Sequence, residues 1–316
     1  MWQRFVTVFL MTLCLGSCAA FGFILLVDPY DSGRLGLGRI SGIVDEDPRT
    51  ASVSRGRDPR FDSAVIGNSR GQLINPARLS SGSGLNFVQL TVPGTGPREQ
   101  LVLLRWFMGR HDLIRAIVLA ADDTWCTQDP ALPITSPFPF WLYTDSNAEY
   151  AVNALRTAAL DRGWRRLLLA LGLRHESDPT GFSDYERGRV WAFAPNVPER
   201  LTPASGIHSP QRPFPAIEKL RAVLRQLPAD ARFIVVFPPV FVTGLPAAGS
   251  DAAELMAECK GAFSRLVDGR GILIDFAVDG ERVRDPKNFM DTFHYRASLA
   301  GQIAEAIVAI LGPPRR

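Results

Sequence analysis

Five predominantly apolar segments lie along the chain, each bounded by turn-forming or charged residues. Their apolar positions are continuous rather than alternating, which is typical of a strand that is covered on both faces of a sheet. The predicted strands are SAVIG (63–67), NFVQLTV (86–92), RAIVLAA (115–121), RFIVVFP (232–238) and GILIDF (271–276).

Amphipathic segments with helical spacing lie between and after these strands, at 97–111, 214–227, 251–267 and 297–311. Pro97 and Pro215 fall near two of the predicted helix starts, where a missing amide proton costs little. Alternation of strand and helix predicts an α/β fold with a mostly parallel central sheet and helices on both faces. Sheets of that kind place their functional sites at the carboxyl ends of the strands.

The amino-terminal apolar segment is different, because it carries no charge from Phe5 to Val27. A stretch of about 23 residues is long enough to cross a bilayer as one helix. The LGSC sequence at 15–18 resembles a lipoprotein cleavage box, but the apolar run continues to Val27, so we predict a retained anchor rather than a cleaved signal. Arg4 favours a cytoplasmic amino terminus, which predicts a single-pass protein of the bacterial inner membrane whose main domain faces the periplasm.

The sequence divides into a membrane anchor (1–27), a tether (28–60) and a domain (61–316). The tether is rich in Gly, Asp, Arg and Pro and shows no periodicity. Within the domain, an insertion at about 124–231 separates the third strand from the fourth and contains a helix-like stretch at 153–172. An insertion of that length predicts an elaboration near the functional site.

Composition and charge exclude some classes of protein. The chain is 46% hydrophobic and 21% charged, as globular proteins are, and its 35 basic and 32 acidic side chains leave a net charge of +3. That balance argues against a nucleic-acid partner, which requires a basic face. Aromatic residues at 136–145 and 189–195 either stack on sugar rings or belong to the core, and the core interpretation is favoured.

Four cysteines are present, of which Cys14 and Cys18 lie in the predicted anchor. Cys126 and Cys259 lie outside it, and an oxidising compartment would allow them to form a disulfide. Two buried free thiols are the alternative. Neither cysteine has a C-x-x-C partner or a nearby histidine, so no zinc site is predicted, and no spacing in the chain indicates another metal or an organic cofactor.

The sequence GNSRG at 67–71 fits the G-x-S-x-G pattern of a nucleophile turn and follows the first predicted strand directly. Such a turn exposes the hydroxyl of Ser69 and directs neighbouring amide protons at the reacting oxygen. The alternative interpretation is a serine that caps a helix, which is common where a strand turns into a helix.

A nucleophilic serine needs a base, and the candidates are His111, His175, His208 and His294. The first three lie in a helix end, a polar turn and a loop. His294 follows Asp291 by three residues, a spacing that lets the carboxylate hold one imidazole nitrogen while the other faces outward. The alternative is that Asp291 caps the helix that begins near Arg296.

A serine after the first strand, together with an Asp-x-x-His pair near the carboxyl terminus, resembles the SGNH, or GDSL-like, hydrolase superfamily. VIGNSRG is similar to its first sequence block, NFVQLTVPGTGPREQ to its second and DTFH to its last. The resemblance implies a flavodoxin-like three-layer α/β/α sandwich. It also implies that Ser69, Asp291 and His294 form a catalytic triad, and that the amides of Ser69 and Gly94 (or alternatively Gly96) form the oxyanion hole.

The resemblance covers roughly residues 62–312 and departs from the family pattern after the third strand. The family usually has an asparagine there, whereas this chain reads VLAADDTWC with Asp122 and Asp123. An ionised carboxylate would repel an oxyanion, so either a protonated aspartate, with Asp123 as the candidate, contributes to the oxyanion hole or the acidic pair has another role. Members with an acidic residue here resemble proteins of exopolysaccharide O-acetylation and teichoic-acid D-alanylation, which commonly carry one amino-terminal membrane helix.

The resemblance implies a serine-dependent ester hydrolase or acyl (acetyl) transferase that works through an acyl-serine. Acylated glycans of the cell envelope or exopolysaccharide, or small esters, are the implied substrates, and a membrane O-acyltransferase is an implied partner. The alternative is a catalytically silent envelope protein that uses the same fold to bind glycan or to scaffold an O-acyltransferase. A Cys126–Cys259 disulfide would fix the loop that carries the two aspartates.

Overall fold

Five parallel strands form the central sheet. They are β1 (Ser63–Gly67), β2 (Phe87–Thr91), β3 (Ala116–Ala120), β4 (Arg232–Phe237) and β5 (Gly271–Asp275), in the order β2-β1-β3-β4-β5. Every neighbouring pair is parallel. The α/β fold is thereby confirmed, and each predicted strand is found to within one residue at either end.

The computed structural model describes residues 1–34, 42–132, 137–188, 192–194 and 214–313. In this part of the chain the helices are α1 (Trp2–Val27), α2 (Pro48–Arg55), α3 (Pro76–Ser83), α4 (Pro97–Met108), α5 (Thr124–Thr127), α6 (Asn147–Ala154), α7 (Thr157–Ala170), α8 (Pro215–Leu224), α9 (Asp251–Val267), α10 (Glu281–Arg284) and α11 (Ala297–Leu311). The four predicted helices beside the strands are α4, α8, α9 and α11. The helix-like stretch at 153–172 overlaps two helices, α6 and α7, while α2 and α3 were not predicted.

Helices cover both faces of the sheet, as its continuous apolar strands require. On one face α3 and α11 pack over a core that includes Leu79, Ile303, Val65, Val118 and Val236. On the other face α4 contacts β1, α9 contacts β4 and β5, and α8 packs against both helices. This is the three-layer arrangement that was predicted, and it leaves the carboxyl ends of the strands free to carry loops.

The chain divides into two compact units. The first comprises Met1–Arg57 and Pro139–Pro179 and contains α1, α2, α6 and α7, while the second comprises Asp58–Phe138 and Thr180–Arg316 and contains the whole sheet. The predicted division into anchor (1–27), tether (28–60), domain and insertion stays a prediction.

Helix α1 is long and apolar enough to cross a membrane, as predicted from the uncharged segment. Its last turns pack inside the first unit. Gly163 of α7 lies against the ring of Phe23. The guanidinium of buried Arg166 donates to the backbone oxygen of Val27 at 3.2 Å and pairs with Asp31 at 3.0 Å. The carboxyl end of the membrane helix is therefore part of a folded unit.

Three described aromatic residues from the two stretches at 136–145 and 189–195 pack into the cores of the two units. Trp141 and Tyr143 are buried in the first unit, where the Trp141 ring meets Tyr30 edge-on at 5.3 Å. Phe193 packs against the apolar core of the second unit. The interpretation as core residues is thus confirmed for these three side chains. Positions 136, 189–191 and 195 of the two aromatic stretches lie outside the described residues.

A disulfide joins Cys126 of α5 to Cys259 of α9, so of the two alternatives the structure has the paired one. The neighbouring Trp125 packs edge-on against Phe263 of α9 and donates to Gln100 of α4 at 2.8 Å. Helix α5, which directly follows the loop after β3, is therefore held from two sides.

We expect the double variant Cys126→Ala/Cys259→Ala to unfold with a free energy about 2–4 kcal/mol lower than wild type, because the disulfide links residues 133 positions apart and restricts the unfolded chain. Denaturant unfolding of the full-length protein in detergent measures this difference. Reductant should destabilise the wild type to the same extent and leave the variant unchanged. Equal stability of reduced and oxidised wild type would contradict the prediction.

Candidate active site

Three side chains from opposite ends of the chain meet at the carboxyl edge of the sheet. The Ser69 hydroxyl lies 3.0 Å from Nε2 of His294. Nδ1 of the same imidazole lies 2.8 Å from Oδ2 and 3.0 Å from Oδ1 of Asp291. The predicted convergence of the serine with the imidazole–carboxylate pair is therefore present in the fold.

Ser69 is presented by a short 3₁₀ turn, Ser69–Gly71, that begins two residues after β1 ends. Asn68 caps this turn, because its side-chain oxygen accepts from the backbone N–H of Arg70 at 3.0 Å. The Ser69 hydroxyl is not the capping group and remains available to His294. Gly67 and Gly71 are needed for close packing, since a Cβ at either would approach Cβ of Ala120 to 3.0 Å.

The loop before α11 presents His294. Oδ1 of Asp291 accepts from the backbone N–H groups of Phe293 and His294 at 2.8 and 2.9 Å, which closes a tight turn. Helix α11 begins at Ala297, whose N–H donates to Glu186 at 2.8 Å. Asp291 therefore orients His294 and does not cap the helix.

Burial works against ionisation of Asp291, but hydrogen bonds from the His294 ring and from the backbone of Phe293 and His294 outweigh it, so that the pKa of Asp291 lies below its ordinary value of 3.8. An ionised Asp291 accepts a hydrogen bond from the Nδ1–H of His294. The lone pair of Nε2 then faces Ser69, which is the tautomer that a general base requires.

Two tyrosines hold the imidazole loop against the serine turn. The Tyr295 hydroxyl donates to the backbone oxygen of Arg70 at 2.6 Å. Tyr185 in turn donates to the backbone oxygen of Tyr295 at 3.0 Å, and its ring meets the His294 ring edge-on at 5.9 Å. Both tyrosines remain protonated donors, because burial raises the pKa of each hydroxyl.

Asn68 connects the ends of three strands. Its side-chain amide donates to Oδ2 of Asp122, after β3, and to the backbone oxygen of Thr95, after β2, at 3.3 Å. Asp122 also accepts from the backbone N–H and the hydroxyl of Thr124. The first aspartate after β3 is thus a structural acceptor that fixes the loops around Ser69.

Arg70 supplies the counter-charge for the acidic pair. Its guanidinium lies 2.8 Å from Asp123 and 3.9 Å from Asp122, and it stacks over the Phe293 ring at 5.0 Å. Burial raises the pKa of Asp122, although the charge of Arg70 opposes that shift. Asp123 accepts from the guanidinium of Arg70, an interaction that favours a role other than direct donation to an oxyanion. The candidate role of Asp123 in the oxyanion hole stays a prediction.

Replacement of Arg70 by glutamine should lower the free energy of unfolding by about 3–5 kcal/mol, because Asp122, whose side chain is 3% exposed, would be left without a compensating charge. Arg78→Gln is the matched control, since its partner Glu305 is 68% exposed and such surface pairs contribute less than about 1 kcal/mol. Both are measured by denaturant unfolding, and Asp122→Asn should restore part of the Arg70→Gln loss. Equal losses of stability in Arg70→Gln and Arg78→Gln would refute the role of Arg70 as the compensating charge for Asp122.

Gly94 lies in the turn after β2 with a φ of +70°, a left-handed conformation that favours glycine. Within the described residues, the Ser69 and Gly94 amides donate no backbone hydrogen bond. The Gly96 amide, by contrast, donates to the side chain of Glu99 at 2.8 Å. These hydrogen bonds favour Gly94 over Gly96 for the oxyanion hole, and that assignment stays a prediction.

Sequence reasoning missed the residues that support the triad. Arg70 and Asn68 lie inside the recognised motif, and the unexplained acidic pair was a signal that a cation lay nearby. Tyr185 lies in the insertion, and no local pattern indicated it. Of the other histidines, His111 stacks on Phe107, His175 is exposed, and His208 lies outside the described residues.

Among the described residues, no group of three or more His, Cys, Asp or Glu side chains could hold a metal ion. Neither the models of known protein families nor the sequences of curated proteins give a match to this chain.

Proposed function

We propose that this chain is a serine-dependent ester hydrolase or O-acyltransferase of the SGNH type. The observation that carries the proposal is the unbroken contact chain from Ser69 through His294 to Asp291 at the carboxyl end of β1. The site lies beside the boundary between β1 and β3, where the strand order reverses and α/β sheets bind their ligands. In the sequence, Ser69 comes first, and Asp291 and His294 follow three residues apart near the carboxyl terminus. This is the order of the triad residues in the SGNH superfamily.

In the proposed mechanism, Nε2 of His294 takes the Ser69 proton as Oγ bonds to the ester carbonyl carbon. The carbonyl electron pair moves onto oxygen, where the amides of Ser69 and Gly94 stabilise the oxyanion. Collapse expels the alcohol, which receives the proton from His294, and leaves an acyl-serine. Water or a sugar hydroxyl then gives a proton to His294 and takes the acyl group, and Ser69 recovers its proton.

The proposed substrates are acylated glycans of the cell envelope or exopolysaccharide, and a membrane O-acyltransferase is the proposed partner. Hydrolysis and transfer share the acylation half-reaction and differ only in the acceptor. A panel of acetylated glycans and simple esters, scored separately for free acid and for acylated product, distinguishes the two.

The proposed location is the bacterial inner membrane, with the second unit in the periplasm. Arg4, which directly precedes the uncharged segment of α1, supports this orientation, and so does the Cys126–Cys259 disulfide, since disulfides persist in oxidising compartments. A carboxy-terminal fusion to a reporter that works only in the periplasm should be active. A silent reporter in cells that accumulate the fusion would overturn the orientation.

Covalent labelling tests the proposed function directly. A fluorophosphonate probe should label the full-length protein, and labelling should be lost in Ser69→Ala and in His294→Gln. The matched controls are Ser81→Ala and His175→Gln, which alter exposed residues of the same types and should label like wild type. Labelling that survives in both site variants would exclude a His294-activated Ser69, and an unlabelled wild type would favour the silent glycan-binding or scaffolding alternative.

A further inference from the structure

Helix α7 carries apolar side chains that the rest of the first unit leaves exposed. Leu160 and Trp164 of α7 are 36% and 55% exposed, and Leu171, which directly follows the helix, is 62% exposed. The spacing of Leu160 and Trp164 places them on one stripe of the helix, and Leu171 continues that side. Val152 and Leu155, just before the helix, are 70% and 54% exposed. These five residues are called the α7 patch. An aqueous surface rarely concentrates so many exposed large apolar residues without an interaction partner.

The buried side of the same helix packs against the membrane helix. Gly163 gives the ring of Phe23 room, because a Cβ there would approach that ring to 2.8 Å. One turn further along, Arg166 donates to the backbone oxygen of Val27 at 3.2 Å. The α7 patch therefore belongs to a helix that is fixed beside the last turns of α1.

The exposed apolar surface of α1 locates the membrane boundary. It continues along the helix to Leu26, which is 51% exposed, and the first charged residue that follows is Asp28. The hydrocarbon region of a bilayer ends near the end of such an apolar run. Because α7 packs on Phe23 and Val27, it lies at the depth of that boundary.

We propose that the α7 patch contacts the lipid bilayer at the boundary between headgroups and acyl chains, as a second membrane contact beside α1. Tryptophan is enriched at that boundary, and amphipathic helices bury an apolar face there to a depth of about 5–10 Å. The occupant is lipid rather than protein, because the helix that carries the patch packs on the one element of the described chain that is long and apolar enough to span a membrane.

Depth-dependent quenching of Trp164 tests this contact. The full-length protein is reconstituted in vesicles of phosphatidylcholine and phosphatidylglycerol, with and without phosphatidylcholine brominated near the headgroup end of its acyl chains. The emission of Trp164 is obtained as the difference between wild type and Trp164→Phe, and it should fall by about half in the brominated vesicles. The matched control is Trp106→Phe, since Trp106 is 4% exposed within the second unit and its emission should not change.

Unquenched Trp164 emission that stays accessible to aqueous iodide would overturn the proposal and indicate a water-facing patch. Emission that is shielded from both quenchers, and that depends on the ratio of protein to lipid, would also overturn it and indicate a second copy of the chain as the occupant. Trp164→Phe replaces an exposed ring by a smaller one, so the variant should unfold at the same denaturant concentration as wild type.

Discussion

Alanine at position 69 is expected to reduce ester turnover by on the order of 10⁴- to 10⁶-fold while the protein stays folded. The hydroxyl of Ser69 is the group that contacts His294 at 3.0 Å, whereas the turn around it is capped by the side chain of Asn68. The variant therefore loses the attacking oxygen and keeps the hydrogen bond that shapes the turn. The measurement is kcat/KM for acetyl-ester hydrolysis by the full-length protein in detergent, with Ser81→Ala as control. Turnover within about tenfold of wild type would eliminate Ser69 as the nucleophile.

Asp291→Asn is expected to lower kcat by about 10⁴-fold, because an amide in place of the carboxylate stabilises the His294 tautomer that carries its proton on Nε2. That nitrogen could then no longer take the Ser69 proton. The pKa of Asp291 lies below 3.8, so the carboxylate of the wild type stays ionised above about that pH. Loss of activity through protonation of Asp291 is therefore expected only at lower pH.

The triad should also behave as one unit in a double-variant test. Ser69→Ala combined with Asp291→Asn should be no less active than Ser69→Ala alone, since a base without a nucleophile has nothing to activate. Additive losses in the double variant, or an Asp291→Asn enzyme with full activity, would show that Asp291 does not act through His294. Both outcomes are read from the same acetyl-ester assay.

The strands and the contact between Asp291 and His294 were predictable because each depends on a local pattern. A continuous apolar run such as 63–67 can be stable only between two covering layers, and the ends of parallel strands must meet at one edge. Asp291 and His294 lie in a single turn, so their contact follows from their spacing. The approach of Ser69 to His294, 225 positions away, followed only once the sheet topology and the family resemblance were combined.

The missed elements had weak or nonlocal signals. Helices α2 and α3 do carry a start signal, because Asp47 and Asn75 cap them and each is followed by proline. Their small and polar side chains, however, give little amphipathic pattern. The pairing of Arg70 with Asp123, and that of Tyr185 with the loop around Tyr295, arise only from tertiary packing, which no local spacing encodes.

The carboxyl end of α1 is continuous with the interior of the first unit. Ile24 and Val27 are buried there, and so are the residues that follow, from Asp28 to Ser32. A flexible linker at this point would let the attached unit rotate and take many orientations and distances relative to the bilayer. Because this joint is buried, we expect the tilt of α1 in the bilayer to set the orientation of the first unit.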